Sequence, residues 1–167
     1  GGAVHCPELV RRILDGGHEI TSHTYRHVLY GPKPLVYGAR QPFDALDEVV
    51  ADLKRLDELL RREYHYEIRL SRPPHYVDNT RDGFSSYDAH ALLGYQYMAA
   101  SFDGAGWLPL ASYEAEVEAM LAPMRRVLEE NPDSLCGQII FQKDGYNMAR
   151  RSPVADALPM QLALLQQ

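Results

Sequence analysis

The sequence predicts an α/β protein built on parallel strands with helices outside. Three observations carry that expectation. Helix-like and strand-like segments alternate along the whole chain; two long stretches have a single apolar stripe at helical spacing; and short apolar runs bounded by Gly or Pro fall between them. The alternation is helix, strand, helix, strand, helix, strand, helix, strand, helix, which suits a parallel sheet or barrel.

The first helix is expected from Pro7 to about Gly16, where Leu9, Val10, Ile13 and Leu14 recur at helical spacing and Gly16-Gly17 ends the run. His18 to Ser22 reads as a short strand that delivers His23 at its end. Gly31 to Pro42 holds Gly31, Pro32, Pro34, Gly38 and Pro42, the composition of an irregular surface loop and a candidate binding element. Asp44 to Tyr64 is the most regular helix: Leu46, Val49, Val50, Leu53, Leu56, Leu60 and Tyr64 form one stripe. Asp44 is expected as its cap, Arg61 and Arg62 suit its C-terminal dipole, and its charged face should lie in water.

Tyr66 to Ser71 follows as a strand, stopped by Pro73-Pro74 because proline lacks an amide donor. A short helix is expected from about Tyr87 to Leu93, then a buried strand over Tyr95 to Phe102 and a turn at Gly104-Ala105-Gly106. Ser112 to Glu130 makes the second long helix, with Ser112 as cap, Glu114 and Glu116 in the first turn and a kink at Pro123. Leu135 to Gln142 is the last strand, and Ala155 to Leu165 the last helix.

Composition narrows the partners. The 167 residues carry 17 Lys and Arg against 23 Asp and Glu, a net charge of −6, with the arginines scattered. Nothing resembles the basic stripe of a nucleic-acid binder. The longest apolar stretch, around Ala155 to Leu165, falls short of the roughly 20 residues of a membrane span. Cys6 and Cys136 make no CxxC pattern. Residue 1 is Gly and the opening residues carry no signal-peptide pattern, so the expectation is a chain that starts downstream of its translation start. One domain over 1–167 is the expected organisation; compartment and oligomeric state stay open.

In parallel α/β folds chemistry gathers after the strands. His23 and His27 lie four residues apart after the first strand, so one helical turn would bring both imidazoles to a single metal ion. The spacing alone equally suits two half-buried histidines that donate to backbone carbonyls. A metal site of this kind would need Asp or Glu as a third ligand and an open position for water.

Gly17-His18-Glu19-Ile20-Thr21-Ser22-His23-Thr24-Tyr25-Arg26-His27 resembles the second motif of the polysaccharide deacetylases, the NodB-homology or carbohydrate esterase family four enzymes, where a His-Ser/Thr-x-x-His pair binds the metal. Arg72-Pro73-Pro74 resembles the family's third motif, usually followed by an aromatic residue. The resemblance implies a distorted barrel of parallel β/α units and metal-dependent removal of N-acetyl groups from amino-sugar polymers such as chitin or peptidoglycan. It implies a divalent metal, usually zinc, held by His23, His27 and an Asp. It also gives Arg72 the task of orienting the catalytic base and His75 the backbone amide that faces the oxyanion. Apart from the resemblance, Tyr76 is one of five tyrosines, with Tyr25, Tyr30, Tyr37 and Tyr97, that could stack on a sugar ring. Members of the family are often secreted or cell-surface proteins.

The departures matter as much. The family's first motif, Thr-Phe-Asp-Asp-Gly, carries the base and the third metal ligand, belongs before the Pro7 helix and is not found in this chain. Asp82-Gly83 falls after Arg72 and is in the wrong order to replace it. The expectation is therefore a barrel short of its first β/α unit. Asp103 and Trp107 fit the fourth motif, Asp103 in the catalytic part and Trp107 along the substrate groove, but Gly106 stands where a second Asp is common. After the last strand Lys143 occupies the place of the His that protonates the leaving amine. An ordinary Lys, with a pKa of about 10.4 against about 6.5 for His, is a poor donor at neutral pH; otherwise Lys143 is a solvated surface charge. Two competing functions follow: a non-catalytic relative that binds glycan or metal, and a hydrolase of amides outside sugars, with substrate choice set by loops such as Gly31 to Pro42.

Overall fold

The computed structural model describes residues 2–31, 42–106, 109–143 and 152–166. The chain divides into two compact units, Gly1–Met98 and Ala99–Gln167. Both are α/β, and the strands within each pair in parallel, as the alternation predicts.

Unit 1 begins with a short helix α1, Gly2–His5, which the sequence pattern did not suggest, and α2, Pro7–Asp15, ended as expected with Gly17 at positive φ. The long helix α3 is Leu46–Tyr64. Its first turn is not capped by Asp44, whose carboxylate pairs with Arg81 at 2.8 Å; the Leu46 amide instead donates to Asp82 Oδ2 at 3.0 Å. Asp82 is thus a structural acceptor, and its bonds from Thr80 and Leu46 hold its carboxyl below the usual range. Helix α4, Ser86–Leu93, starts with a full capping box between Ser85 and Asp88.

The strands of unit 1 are shorter than the sequence implies. β1 is Leu70–Ser71 and β2 is Gln96–Tyr97, with Leu70 opposite Gln96 and Ser71 opposite Tyr97. On the other side of β1, only Ser22 of the expected 18–22 strand joins, through a parallel bridge to Ser71. Side chains take the rest of the hydrogen bonds. Tyr66 Oη accepts from the Ile20 amide at 3.0 Å and donates to the Ile20 carbonyl at 3.1 Å, so a phenol replaces a strand neighbour. Likewise Ile68 gives its amide to Asp57 Oδ1 at 3.0 Å, which takes that part of the expected 66–71 strand out of any ladder.

The core of unit 1 gathers the buried faces of these elements around Phe43, Val49, Leu53, Leu60, Ile68 and Ala89. One residue of α3 departs from the expectation that its charged face lies in water: Asp52 is 4% exposed.

Unit 2 contains β3, Phe102–Asp103; α5, Tyr113–Glu130; β4, Ile140–Phe141; and α6, Pro153–Leu165. The expected 95–102 strand is divided: Gln96 and Met98 donate to the Arg69 and Ser71 carbonyls, whereas Ser101 and Phe102 donate to Ile139. The 135–142 strand contracts to two residues because the preceding segment folds into turns, with the Cys136 amide on Asp133 and that of Gln138 on Leu135. Ser112 accepts from the Ala115 amide and caps α5 as predicted, and the helix runs through Pro123. α5 packs on α6 through Met120, Val154 and Ala157, while buried Gln161 links the Met120 carbonyl and Gln142. The 31–42 loop lies largely outside the described residues.

Candidate active site

Ser22 closes the bridge to β1, with its amide on Leu70 and its carbonyl receiving the Arg72 amide, so the chain leaves the carboxyl end of the strands directly into His23. His23 Nδ1 lies 2.7 Å from the Arg72 carbonyl. A carbonyl only accepts, so Nδ1 carries the proton and Nε2 keeps a lone pair. Burial lowers the His23 pKa to about 4, outweighing the opposite pull of the Arg72 carbonyl, and the ring is neutral near pH 7.

The His27 ring stands edge-on to that of His23, with centroids 5.1 Å apart, and the His75 ring is 5.6 Å beyond it. The two histidines of the motif are therefore neighbours, but no helical turn brings them together. Thr24 and His27 have φ of 67° and 53°, the left-handed region, and 23–27 is a folded loop. Tyr25 N–H donates to Asp52 Oδ1 at 2.8 Å and Arg26 N–H to the same oxygen at 3.3 Å, which ties the loop backbone to α3. Arg26 Nε adds a 2.7 Å ion pair to Asp52 Oδ2.

His23 is half-buried and bonded to a backbone carbonyl, and that bond leaves the Nε2 lone pair free of the proton. A carbonyl behind a ligating imidazole is a common arrangement in metal sites. Among the described residues, no group of three His, Cys, Asp or Glu side chains could hold an ion.

Arg72 opens the turn that follows β1. Pro73 and Pro74 are buried, Pro74–Tyr76 forms one 3-10 turn, and both His75 and Tyr76 are in the left-handed region, with φ of 55° and 54°. The Arg72 guanidinium lies 5.4 Å from the Tyr76 ring centroid, and its Nη1 is 3.4 Å from the Tyr76 hydroxyl. Tyr76 is 40% exposed. His23, His27, Arg72, His75 and Tyr76 accordingly share one end of unit 1.

The other candidates lie in unit 2. Asp103 pairs with Phe141 in the β3–β4 register, and Lys143 follows two residues later, exposed, so both belong to the carboxyl end of that strand pair. Asp103 Oδ1 accepts the Ala105 amide at 2.9 Å, within the expected turn, and borders a cleft with Gly106, Leu110 and Glu116. Gly104 sits so close to β4 that an added Cβ would meet the Phe141 carbonyl oxygen at 2.6 Å. Trp107 lies outside the described residues.

Asp52 is the residue that sequence reasoning missed. Its flank of the α3 stripe resembles any solvated face, and the only available signal was a carboxylate one residue from Leu53 and three from Val49, at the stripe's edge. Of the histidines set aside as surface or structural, His90 is structural: 2% exposed, with Nε2 3.3 Å from the Tyr30 hydroxyl.

Comparison with known proteins follows the same lines. The polysaccharide deacetylase family model matches residues 2–97, more than half the chain. Among solved structures, a CE4 family pseudoenzyme from Bacillus anthracis is similar with a TM-score of 0.65 and 16% identity, over 98% of this chain and 47% of that one. A family 4 carbohydrate esterase from Streptomyces lividans, in complex with acetate, gives 0.65 and 20% over 98% and 69%. Peptidoglycan deacetylase PdaC from Bacillus subtilis gives 0.62 and 16% over 98% and 65%. At such identities the likeness is one of fold, and the chain spans about half the length of the pseudoenzyme. No protein of curated function matches it. Motif order, parallel strand pairs and the family match over 2–97 agree, and the chain belongs to the polysaccharide deacetylase family.

Proposed function

We propose that residues 1–167 act as one deacetylase-like domain, part of a distorted β/α barrel, in a zinc-dependent hydrolase that removes N-acetyl groups from amino-sugar polymers. The observation that carries this reading is the His23–His27 pair, 5.1 Å apart between ring centroids, with the His23 tautomer set by the Arg72 carbonyl. His23 and His27 would hold the ion, and a third donor must come from outside the described residues. When bound, a divalent metal supplies Lewis acidity toward an amide carbonyl and toward water.

This chain's own residues have separate tasks. The His75 backbone amide hydrogen-bonds the negative charge that develops on the acetyl oxygen. Arg72 orients the base carboxylate, and Tyr76, exposed beside Arg72, offers its ring to a sugar face. Trp107, outside the described residues, keeps the substrate contact that its motif position implies. Asp103 and Lys143 are assigned acid–base tasks by their motif positions alone, Lys143 as the donor to the departing amine.

Lys143 also favours a second reading. Lys143, exposed, stands where a histidine is expected. That is the pattern of a relative that binds metal or glycan without turnover.

Zinc titration of the full chain, followed through the imidazole resonances, tests the metal part. Shifts confined to His23 and His27, lost in His23→Ala and His27→Ala, are expected; a response centred on other histidines overturns it. Acetate release from N-acetylated oligosaccharides then separates the two readings. Release that disappears in His27→Ala supports hydrolysis, whereas oligosaccharide-dependent shifts at Tyr76 with no acetate support binding alone.

A further inference from the structure

We infer that Asp52 is the positioning residue of the metal loop: its carboxylate, set in helix α3, holds the Tyr25–Arg26 backbone so that His27 faces His23. The inference rests on the metal reading of the two histidines.

A carboxylate in the middle of an amphipathic helix ordinarily lies in water. That of Asp52 has 1% of its side-chain surface exposed, while its partner Arg26 has 53%. Withdrawing the acid from water needs compensation by hydrogen bonds. The compensation comes from the loop: two consecutive amides converge on Oδ1, at 2.8 and 3.3 Å, and the Arg26 Nε meets Oδ2 at 2.7 Å. Three donors from two adjacent residues fix a peptide plane far better than one ion pair could.

The held segment ends at Arg26, the residue before His27, whose φ of 53° an ordinary residue adopts only when its surroundings impose it. Two further contacts press the same segment onto the same helix and its approach. Arg55, three residues after Asp52 and so on the same face of α3, places its guanidinium 4.2 Å from the Tyr25 ring centroid, and Arg26 lies 5.0 Å from that of Phe43.

The two imidazoles are therefore held by independent anchors. His23 is tied to the Arg72 carbonyl after β1, and His27 is tied to α3 through Asp52. Removing the second anchor leaves His23 oriented and withdraws the hold of α3 on the loop that carries His27. Asp52 touches neither substrate nor ion and acts only through the loop.

The test uses the full 167-residue chain and zinc alone, with the His23 and His27 resonances and thermal unfolding as readouts. Asp52→Ala is expected to weaken zinc binding at the two rings about tenfold or more, the usual cost of losing an outer support of a metal ligand. Asp52→Asn, which keeps an oxygen for the amides and loses the ion pair, should fall between the two and guards against a misfolded alanine variant. Asp57→Ala is the stability control: Asp57, on the same helix, accepts the Ile68 amide and pairs with Arg61. It should lower the melting temperature with zinc affinity kept. Wild-type affinity in both Asp52 variants overturns the inference, as does a loss in Asp57→Ala matching that in Asp52→Ala at equal stability. Should the wild-type rings ignore zinc, the metal reading fails and takes the inference with it, a result distinct from zinc binding that is indifferent to Asp52.

Discussion

His90 is almost wholly withdrawn from water between Tyr30, Tyr95 and Tyr97, and burial lowers its pKa to about 4 against a weaker upward pull from Asp78. A histidine held neutral in the fold binds a proton more readily once unfolded. Its contribution to stability is therefore complete above about pH 6.5 and is lost as pH falls toward 4. Denaturant unfolding at several pH values should show stability falling through that window. In His90→Gln the decline between pH 6.5 and 4 should shrink by roughly 2 kcal/mol; an unchanged slope would assign the acid sensitivity elsewhere. Gly31 makes a second point at this scale, since a Cβ there would collide with the Asn79 carbonyl oxygen. Gly31→Ala should cost about 2 kcal/mol or more, read as a lower melting temperature.

The elements show where local pattern stops being sufficient. Helices α2, α3, α5 and α6 were legible because their apolar spacing and end signals are encoded within each segment. Strands were legible as apolar runs, but their lengths were not, because a ladder needs a partner and partners are distant in sequence. Ile20 and Ile68 both look like strand residues, yet Tyr66 and Asp57 take their amides. Tyr66→Phe removes both bonds to Ile20 at once. It should destabilise unit 1 by about 1–2 kcal/mol and speed hydrogen exchange at the Ile20 amide, while the α4 amides respond only to the global loss. The capping box of α4 allows a matching test, with Ser85→Ala expected to cost about 1 kcal/mol by thermal unfolding. Similarly, Asp44 was the natural cap of α3 by position, and Asp82, 36 residues away, serves the Leu46 amide instead.

At the scale of the molecule the two units differ in how much core they contain. Among the described residues, ten buried side chains form the main cluster of unit 1 and three that of unit 2. Apolar burial dominates stability, so amide protection in α5 and α6 should be lost at lower denaturant than in α3. Hydrogen exchange at increasing urea measures this directly, and simultaneous loss in all three helices would show one cooperative unit. The α/β class, the parallel pairing and the family motifs around His23 and Arg72 were determined by sequence alone, because periodicity and short motifs are local properties. Only the tertiary structure decided how the candidate site is built. The spacing of His23 and His27 suggested a helical turn, and the rings meet instead across a left-handed loop. That loop is tied to α3 by a carboxylate 26 and 27 residues along the chain that takes two of its amides, a pairing set by proximity in space and not by sequence spacing.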